Sequence, residues 1–414
     1  VTINRDAHYT PRMLKRAIIA GLPSAGVNVV DLRTMPIPVA RYFTHASGAF
    51  GGVHVRLSPS DNRVVDIKFF DERGLDISSS IERKIEHTFF REDYRRVYLD
   101  EIGRIVYGNN VEKTYIDAFL NALSADALEH IARDFNLVVD YANASASGIL
   151  SAILRRLHVD VVELNANLDE RRLFQTVAQF EEGMQRLTKI TAVVNANLGV
   201  RVDSSGEKIF LVDDMGRRLP GIQALAAVAA LVLQANGGGT VAVPVTAPRA
   251  FEEIATRHGG NIIRTRATLG ALMQTAADDP ELLMLGDGAG NYIFPSFYPI
   301  ADGLFAAAKI MELLTLNGVS LSETVRKLPL YHLQQTKVPC RWENKGKVMR
   351  ILNQQYQERQ IDQVDGIKID LGGEWVLILP DPDGPFFHVI AEGSSEDQAR
   401  VLTEKYAGLV AGLQ

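Results

Sequence analysis

The stretch Gly51-Gly52-Val53-His54-Val55-Arg56-Leu57-Ser58-Pro59-Ser60-Asp61-Asn62, closed by Asp66-Ile67-Lys68-Phe69-Phe70-Asp71, decides how the rest of the chain is read. An apolar strand pattern runs into a polar loop with a serine near its start, and a second apolar run carrying Lys68 follows. A chain presents a hydroxyl in this way at the end of a strand, where a sheet offers its ligand crevice. His54 and Ser58 do not make a hydrolase pair. A strand puts residues i and i+4 on one face but roughly 13 Å apart, beyond hydrogen-bond reach.

Outward from this stretch, strand and helix alternate. Residues 1–6 read as a strand and loop, and Thr10-Pro11 as a helix start with proline at the first position. Residues 27–32 read as a strand, and 36–40 open the next helix. A second unit begins after 115–123, with a strand at 137–140, a loop at 141–148, a helix at 149–157 and a strand at 160–164. A third has a strand at 239–245, a helix at 250–257 and a strand at 262–265. This rhythm implies mostly parallel sheets covered on both faces, an architecture used three times without repeated sequence. The Ala-rich run 222–233 reads as a buried helix. Beyond a helix at 302–316 the pattern changes. A linker near Pro329 and Pro339 leads to a charged helix at 345–357, strands at 367–371, 375–379 and 386–391, and a helix at 396–410. That order suggests an α+β domain with an antiparallel sheet.

A chain of 414 residues is too long for one core and suggests three or four domains. A net charge of −6 with no basic run argues against nucleic acid as a partner. The single cysteine, Cys340, excludes an intrachain disulfide, fits a cytoplasmic location and is expected to be buried. No apolar run reaches the ~18 residues of a membrane span, so no membrane association is expected. The chain opens on Val1 inside a strand pattern, without a signal peptide, and is expected to be a piece of a longer protein.

The serine loop resembles the one in which α-D-phosphohexomutases (phosphoglucomutase/phosphomannomutase) carry their phosphorylated serine, T-A-S-H-N-P…N-G-x-K. Ser58 falls on the phosphoserine and Lys68 on the lysine. Pro59 and Ser60 replace the His and Asn, and Val65-Asp66 replaces Asn-Gly. Asn4-Arg5-Asp6-Ala7-His8 stands on G-R-D-x-R, so Arg5 joins Ser58 and Lys68 in the catalytic set that the resemblance implies. The resemblance spans the whole chain. It implies an α/β protein with three similar domains (1–112, 113–236 and 237–328), each a mixed sheet with helices on both faces, and a smaller C-terminal α+β domain (329–414), around a central cleft. The strand and helix with which the family opens, carrying G-T-x-G-x-R-G, are absent.

Three further family loops can be laid on the chain. The magnesium loop D-x-D-x-D-R falls on Asp203-Ser204-Ser205-Gly206-Glu207-Lys208, which makes Asp203, Ser205 and Glu207 the implied ligands. Magnesium requires oxygens at about 2.0–2.1 Å in near-octahedral array, so two carboxylates in place of three imply at most weak binding. Read without the family, Ser-Ser-Gly is a plain hairpin turn. The sugar loop G-E-x-S-G-H falls on Asp287, Ala289 and Asn291, a shorter acid, a lost hydroxyl and a side chain that cannot titrate. The phosphate loop R-x-S-G-T-x-P-x-x-R falls on 379–388. Leu379 and His388 replace arginines there, and Asp381 and Asp383 replace hydroxyls. A carboxylate ~4 Å from a phosphate charge repels it by roughly 4 kcal/mol at an effective dielectric of 20. Residues 380–383 also suit a plain Pro-Asp turn.

Two readings of function follow from the resemblance. In the preferred one the chain is a catalytically reduced mutase-like module of sugar-phosphate or nucleotide-sugar metabolism, acting in ligand binding, assembly or regulation. It would take hexose phosphate as ligand. Its partner would be an N-terminal sugar-1-phosphate nucleotidyltransferase with a hexapeptide-repeat domain, a fusion that the R-L-S-P loop, the I-K-F-F-D run and the P-D-P-D-x-P tail resemble. In the alternative the chain is an active mutase working through phosphorylated Ser58 and magnesium.

Overall fold

The structure is a computed structural model. It describes residues 1–414 except Pro59, Ser60, Asn62, Phe174, residues 357–360, Gln363 and Asp383, and the side chains of 126, 128, 132–134, 361 and 362. The first unit contains β1 (Thr2–Arg5), α1 (Tyr9–Ser24), β2 (Val29–Thr34), α2 (Ile37–Ala46), β3 (Gly51–Leu57), β4 (Val65–Asp71), α3 (Ser79–Arg91) and β5 (Ile105–Tyr107). Its sheet runs β4-β3-β1-β2-β5, with only the β3–β4 pair antiparallel. The second contains α4 (Val111–Asn121), α5 (Ala125–Asp134), β6 (Asn136–Asp140), α6 (Ala146–Arg156), β7 (Asp160–Leu164), α7 (Val177–Val193), β8 (Leu198–Val202) and β9 (Ile209–Val212), in the order β7-β6-β8-β9. The third contains α8 (Gly221–Asn236), β10 (Gly239–Pro244), α9 (Ala250–Arg257), β11 (Gly260–Thr265), α10 (Leu269–Asp278), β12 (Met284–Gly286), β13 (Tyr292–Ile293), α11 (Gly303–Asn317) and α12 (Leu321–Arg326), in the order β11-β10-β12-β13.

The three sheets share one plan. Two parallel neighbours flank β1, β6 or β10, and the third strand in sequence then turns back as an antiparallel hairpin, β3–β4, β8–β9 or β12–β13. Central strands such as β6 and β10 carry apolar runs because both sheet faces are covered; Leu137, Val138 and Val139 are all buried, as are Val241, Ala242 and Val243. Helices α8 and α11 are apolar almost all round, and every side chain from Ala224 to Leu233 is buried. Such a helix has to be enclosed by other elements. One apolar cluster duly runs from Leu32 through α8 and α11 to Leu321, joining all three units.

The fourth unit contains β14 (His332–Pro339), α13 (Trp342–Tyr356), β15 (Ile361–Asp362), β16 (Ile367–Asp370), β17 (Trp375–Pro380), β18 (Phe386–Gly393) and α14 (Glu396–Gly412). Its sheet, β14-β18-β17-β16-β15, is antiparallel throughout, the α+β domain expected from the tail. Its main apolar cluster, Val338 to Val410, holds Cys340 and is separate from the one that joins the other three units. Across the seam, Val245 packs on Trp375 and Leu377, Arg249 bonds Asp370 and Glu392, and Lys368 reaches the Val245 carbonyl. One expectation is corrected here. The linker near Pro329 and Pro339 is largely the edge strand β14, and Pro339 is tolerated because it ends that strand at the sheet edge. Helices α3, α7 and α10 had no counterpart in the sequence reading. Among the described residues no helix is long and apolar enough to cross a membrane.

Candidate functional site

The third strand of each α/β sheet ends in a loop before its hairpin partner, and these three loops meet. Ser58 follows β3, Asp203 follows β8 and Asp287 follows β12, and all three line one cleft of about 670 Å³. Ligands of parallel sheets collect at such carboxyl ends. Lys68, Glu207, Lys208 and Asn291 line the same cleft, together with Asp6, Arg56 and Arg201. Arg5, Ser205, Ala289, Asp381 and His388 are not among its lining residues. Arg5 folds back on its own strand end, donating to the Asp6 carbonyl at 2.6 Å. Pro59, Ser60 and Asp383 lie outside the described residues.

Asp6 sets the serine loop. Its carboxylate accepts the backbone N–H of Leu57 at 2.7 Å and of His8 at 2.9 Å. Burial raises its pKa above the ordinary aspartate value, against the pull of those two donors. Ser58 itself is 6% exposed, and its N–H bonds the Val64 carbonyl at 2.9 Å.

The loop from Asp203 to Lys208 is a tight hairpin connection docked on its neighbours. The Asp203 carboxylate accepts the Ser205 hydroxyl at 2.6 Å and the Lys208 N–H at 3.0 Å. Ser205 offers its carbonyl to the Ile37 N–H of the first unit, and Gly206 offers its own to the Gly303 N–H of the third, at 2.9 and 3.0 Å. Gly206 sits at φ +80°, and a Cβ there would stand 2.8 Å from Pro36 Cβ, so this tight passage requires glycine.

Glu207, read from sequence as a metal oxygen, has other partners. Arg56 Nη1 and Lys68 Nζ both stand 3.2 Å from its Oε2, and Arg41 Nη2 stands 3.6 Å from Oε1. Arg41 on α2 is fully buried and also bonds Asp76 at 2.6 Å; Arg56 also pairs with Asp66 at 3.2 Å. Burial alone would raise the Glu207 pKa, but Lys68, Arg56 and Arg41 together hold it well below the usual carboxylate range. Burial lowers the pKa of Lys68, with Glu207 opposing. Between Asn4 and Lys68 on the same sheet face lies His54. Its ring is 1% exposed, and neither nitrogen has a hydrogen-bond partner among the described residues. Burial and the neighbouring Arg56 drive its pKa far down, so the ring is neutral.

These residues do not fit magnesium. A dication held by the Glu207 carboxylate would stand about 4 Å from Arg56 and Lys68, at a cost on the order of 8 kcal/mol for each, twice the single-charge figure at an effective dielectric of 20. The Asp203 oxygens already accept two donors, and among the described residues no group of three or more His, Cys, Asp or Glu could hold a metal ion.

The other two loops are likewise closed on themselves. Asp287 accepts the N–H groups of Ala289 and Asn291 at 2.7 and 3.1 Å and the side-chain amide of Asn291. Its carboxylate thereby shapes the turn. Asp381 accepts the Gly384 N–H at 2.7 Å, and its other oxygen lies 2.7 Å from His388 Nε2. Gln335 Nε2 donates to His388 Nδ1 at 2.8 Å, which leaves the ring proton on Nε2, aimed at Asp381. Lys345 of α13 clamps the turn by donating to the carbonyls of Asp381 and Gly384.

Sequence reasoning missed Arg41, Arg56 and Lys345. Arg56 had a usable signal, since it is the one formal charge in the strand run from Val53 to Leu57, where Val53, Val55 and Leu57 are apolar. Arg41 and Lys345 had none, because their partners lie far off in sequence.

Known proteins share this arrangement. Models of phosphoglucomutase/phosphomannomutase α/β/α domains I, II and III match residues 1–96, 113–216 and 221–331. A phosphoglucomutase/phosphomannomutase of Thermococcus kodakarensis is 30% identical over 405 residues, 98% of this chain and 88% of that protein. Among solved structures, a phosphoglucomutase/phosphomannomutase family protein of Burkholderia thailandensis superposes with a TM-score of 0.83 at 18% identity, covering 99% of this chain and 89% of the other. An Aspergillus fumigatus N-acetylphosphoglucosamine mutase, solved with GlcNAc-6P and magnesium, superposes with a TM-score of 0.60 at 13% identity over 99% of this chain and 82% of its own. With three matching domain models in the family's order and a relative aligned over nearly the whole length, the chain belongs to the phosphoglucomutase/phosphomannomutase family.

Proposed function

We propose that this chain is a mutase-fold module of sugar-phosphate metabolism that binds a hexose phosphate in the Ser58 cleft and turns it over at or near background. The observation that carries this reading is the Asp381–His388 pair. A mutase must hold a phosphate at one end of the sugar while the other end meets the serine, and phosphoryl transfer depends mostly on positioning and electrostatics. In the loop laid on the family's phosphate site, a carboxylate of the chain takes the backbone and imidazole donors that an anion would need. Four cations line the cleft, Arg56, Lys68, Arg201 and Lys208. The first three are ion-paired, Arg201 with Asp140 at 2.7 Å, while Lys208 has no ion pair among the described residues. Lys208 is therefore the side chain assigned to the ligand's phosphate, with Asn291 and Asp287 beside the sugar.

The cellular role that suits such a module is assembly or regulation in the cytoplasm beside a sugar-1-phosphate nucleotidyltransferase. Purification of the native protein with its neighbours, followed by a nucleotidyltransferase assay, tests this; a native complex without that activity refutes it.

A coupled assay with glucose 1-phosphate and mannose 1-phosphate, with glucose 1,6-bisphosphate present, tests the chemistry. The expected turnover is background. Turnover of about 10 s⁻¹, the enzyme median, lost in Ser58→Ala, would establish the other reading, an active mutase. That reading is favoured by the gathering of Ser58, Lys68 and Asp203 in one cleft and by the name of the Thermococcus relative.

A further inference from the structure

We propose that Arg56 and Lys68, closed onto Glu207 with Arg41, take the place of a divalent cation in this cleft, so that it works without metal. The geometry behind this is a charge balance. Three cations (Arg41, Arg56, Lys68) meet three carboxylates (Glu207, Asp66, Asp76) at 2.6–3.6 Å. A neutral cluster offers a dication no net attraction. Arg56 and Lys68 also stand within 4 Å of the oxygen that magnesium would need. Asp203 is a nearby carboxylate outside this set, and its oxygens already accept Ser205 and Lys208.

The cluster also bridges two units. All three cations come from the first unit, from α2, β3 and β4, and Glu207 comes from the second. Glu207 is 2% exposed, so these contacts are shielded from salt and solvent. A metal ion in such a place binds and releases with its free concentration. A guanidinium and an ammonium belonging to the chain are always present, so the first two units are held together under all metal conditions. Arg suits this because its planar fork serves two carboxylates at once, as Arg56 does with Glu207 and Asp66.

The part concerning ligand rests on the hexose-phosphate reading above; the part concerning metal does not, so the two can fail separately. Magnesium chloride is titrated into the full chain by calorimetry, with the melting temperature followed in parallel. The expected result is no binding heat and no shift in melting up to about 10 mM, roughly tenfold above the dissociation constants of the weakest carboxylate calcium sites. Glucose 1-phosphate is then titrated in EDTA and in magnesium, with equal affinity expected. The variant Arg56→Met, which keeps much of the volume, leaves Glu207 a cation short and is expected to acquire a magnesium-dependent rise in melting temperature. Sub-millimolar magnesium binding by the unmodified chain overturns the proposal, as does a tenfold gain in glucose 1-phosphate affinity on adding magnesium. Failure of glucose 1-phosphate to bind in either buffer would refute the ligand reading, while the magnesium titration still decides the metal question.

Discussion

The carboxylate of Asp381 stands 2.7 Å from Nε2 of His388, across the turn that joins β17 to β18. Its other oxygen accepts the Gly384 N–H, so one side chain occupies a backbone donor and an imidazole donor together. An internal carboxylate competes with any bound anion for those donors, and it does so at a high effective concentration that dilution does not lower.

The first prediction follows from that competition. Exchanging the loop for the family pattern (Leu379→Arg, Asp381→Ser, Asp383→Thr, His388→Arg) removes the competitor and supplies two permanent cations. Affinity for glucose 1-phosphate is expected to rise by about tenfold or more, since charge-assisted bonds each contribute roughly 1.5–3 kcal/mol. Turnover is expected to gain less, because the serine loop and the Glu207 cluster are untouched. Calorimetry beside a coupled assay separates the two; equal gains in both would show that the phosphate loop alone limits catalysis.

Glu207→Gln leaves Arg41, Arg56 and Lys68 gathered without their shared anion. Breaking a buried pair in this way costs about 3–5 kcal/mol, read as an earlier first transition in denaturant. The pH profile carries a second signature. The Glu207 pKa lies below its ordinary 4.5, so its stabilisation is complete above pH 4.5 and fades as pH falls toward the folded value. The gap between parent and variant should therefore narrow on acidification below pH 4.5; a gap independent of pH would mean that packing, rather than charge, holds the cluster.

Asp302 titrates in the opposite sense. It caps α11 through the N–H groups of Leu304 and Phe305, both at 3.0 Å, and accepts the Tyr115 hydroxyl at 2.7 Å. Burial raises its pKa from 3.8 to about 6. A folded pKa above the unfolded one means stability that is full below pH 3.8 and is lost as pH rises through 6, by roughly 3 kcal/mol in all. Asp302→Asn keeps a good cap residue and removes the charge. The variant should gain on the parent between pH 4 and pH 7, a range that spans both pKa values. Parallel melting curves for the two across that range would refute this.

Gly221, at the start of α8, lies against the sugar loop. A Cβ there would stand 1.9 Å from the Gly288 carbonyl oxygen, a backbone atom that can yield only if the loop itself shifts. Gly221→Ala should cost about 1–3 kcal/mol and speed hydrogen exchange at 287–291. Gly148→Ala in α6, where nothing lies within 4 Å, should instead gain about 0.5–1 kcal/mol through helix propensity. If both variants lose stability alike, loop displacement is not the cause.

How far the sequence could be read depended on the range of the interactions. The repeated sheets were legible because runs such as Leu137-Val138-Val139 and Val241-Ala242-Val243 announce strands buried on both faces, a local property. The loops that carry Ser58, Asp203 and Asp287 were placed by their resemblance to the family's motifs. What their carboxylates do was not legible. Glu207 read as a metal oxygen because carboxylate oxygens suit magnesium; its true neighbours, Lys68 and Arg56, lie 139 and 151 residues away. Asp381 read as a charge facing a phosphate. The local hydrogen bond to Gly384 N was within reach of turn chemistry, whereas the Lys345 clamp on its carbonyl comes from a helix 36 residues upstream.

The separation of the two main apolar clusters has a mechanical consequence. The first three units share one apolar cluster through α8 and α11, which is expected to hold the loops of Ser58, Asp203 and Asp287 at steady mutual spacing. The fourth unit meets them across a narrower, more polar seam formed around Val245, Arg249 and Lys368. The softest coordinate expected of such a molecule is a swing of residues beyond 331 about that seam. Such a swing would carry the Asp381 turn with the fourth unit and leave Ser58 with the first. Scattering profiles recorded with and without glucose 1-phosphate would register such a swing as a change in overall dimensions, and a fluorophore pair placed on α14 and α9 would time it.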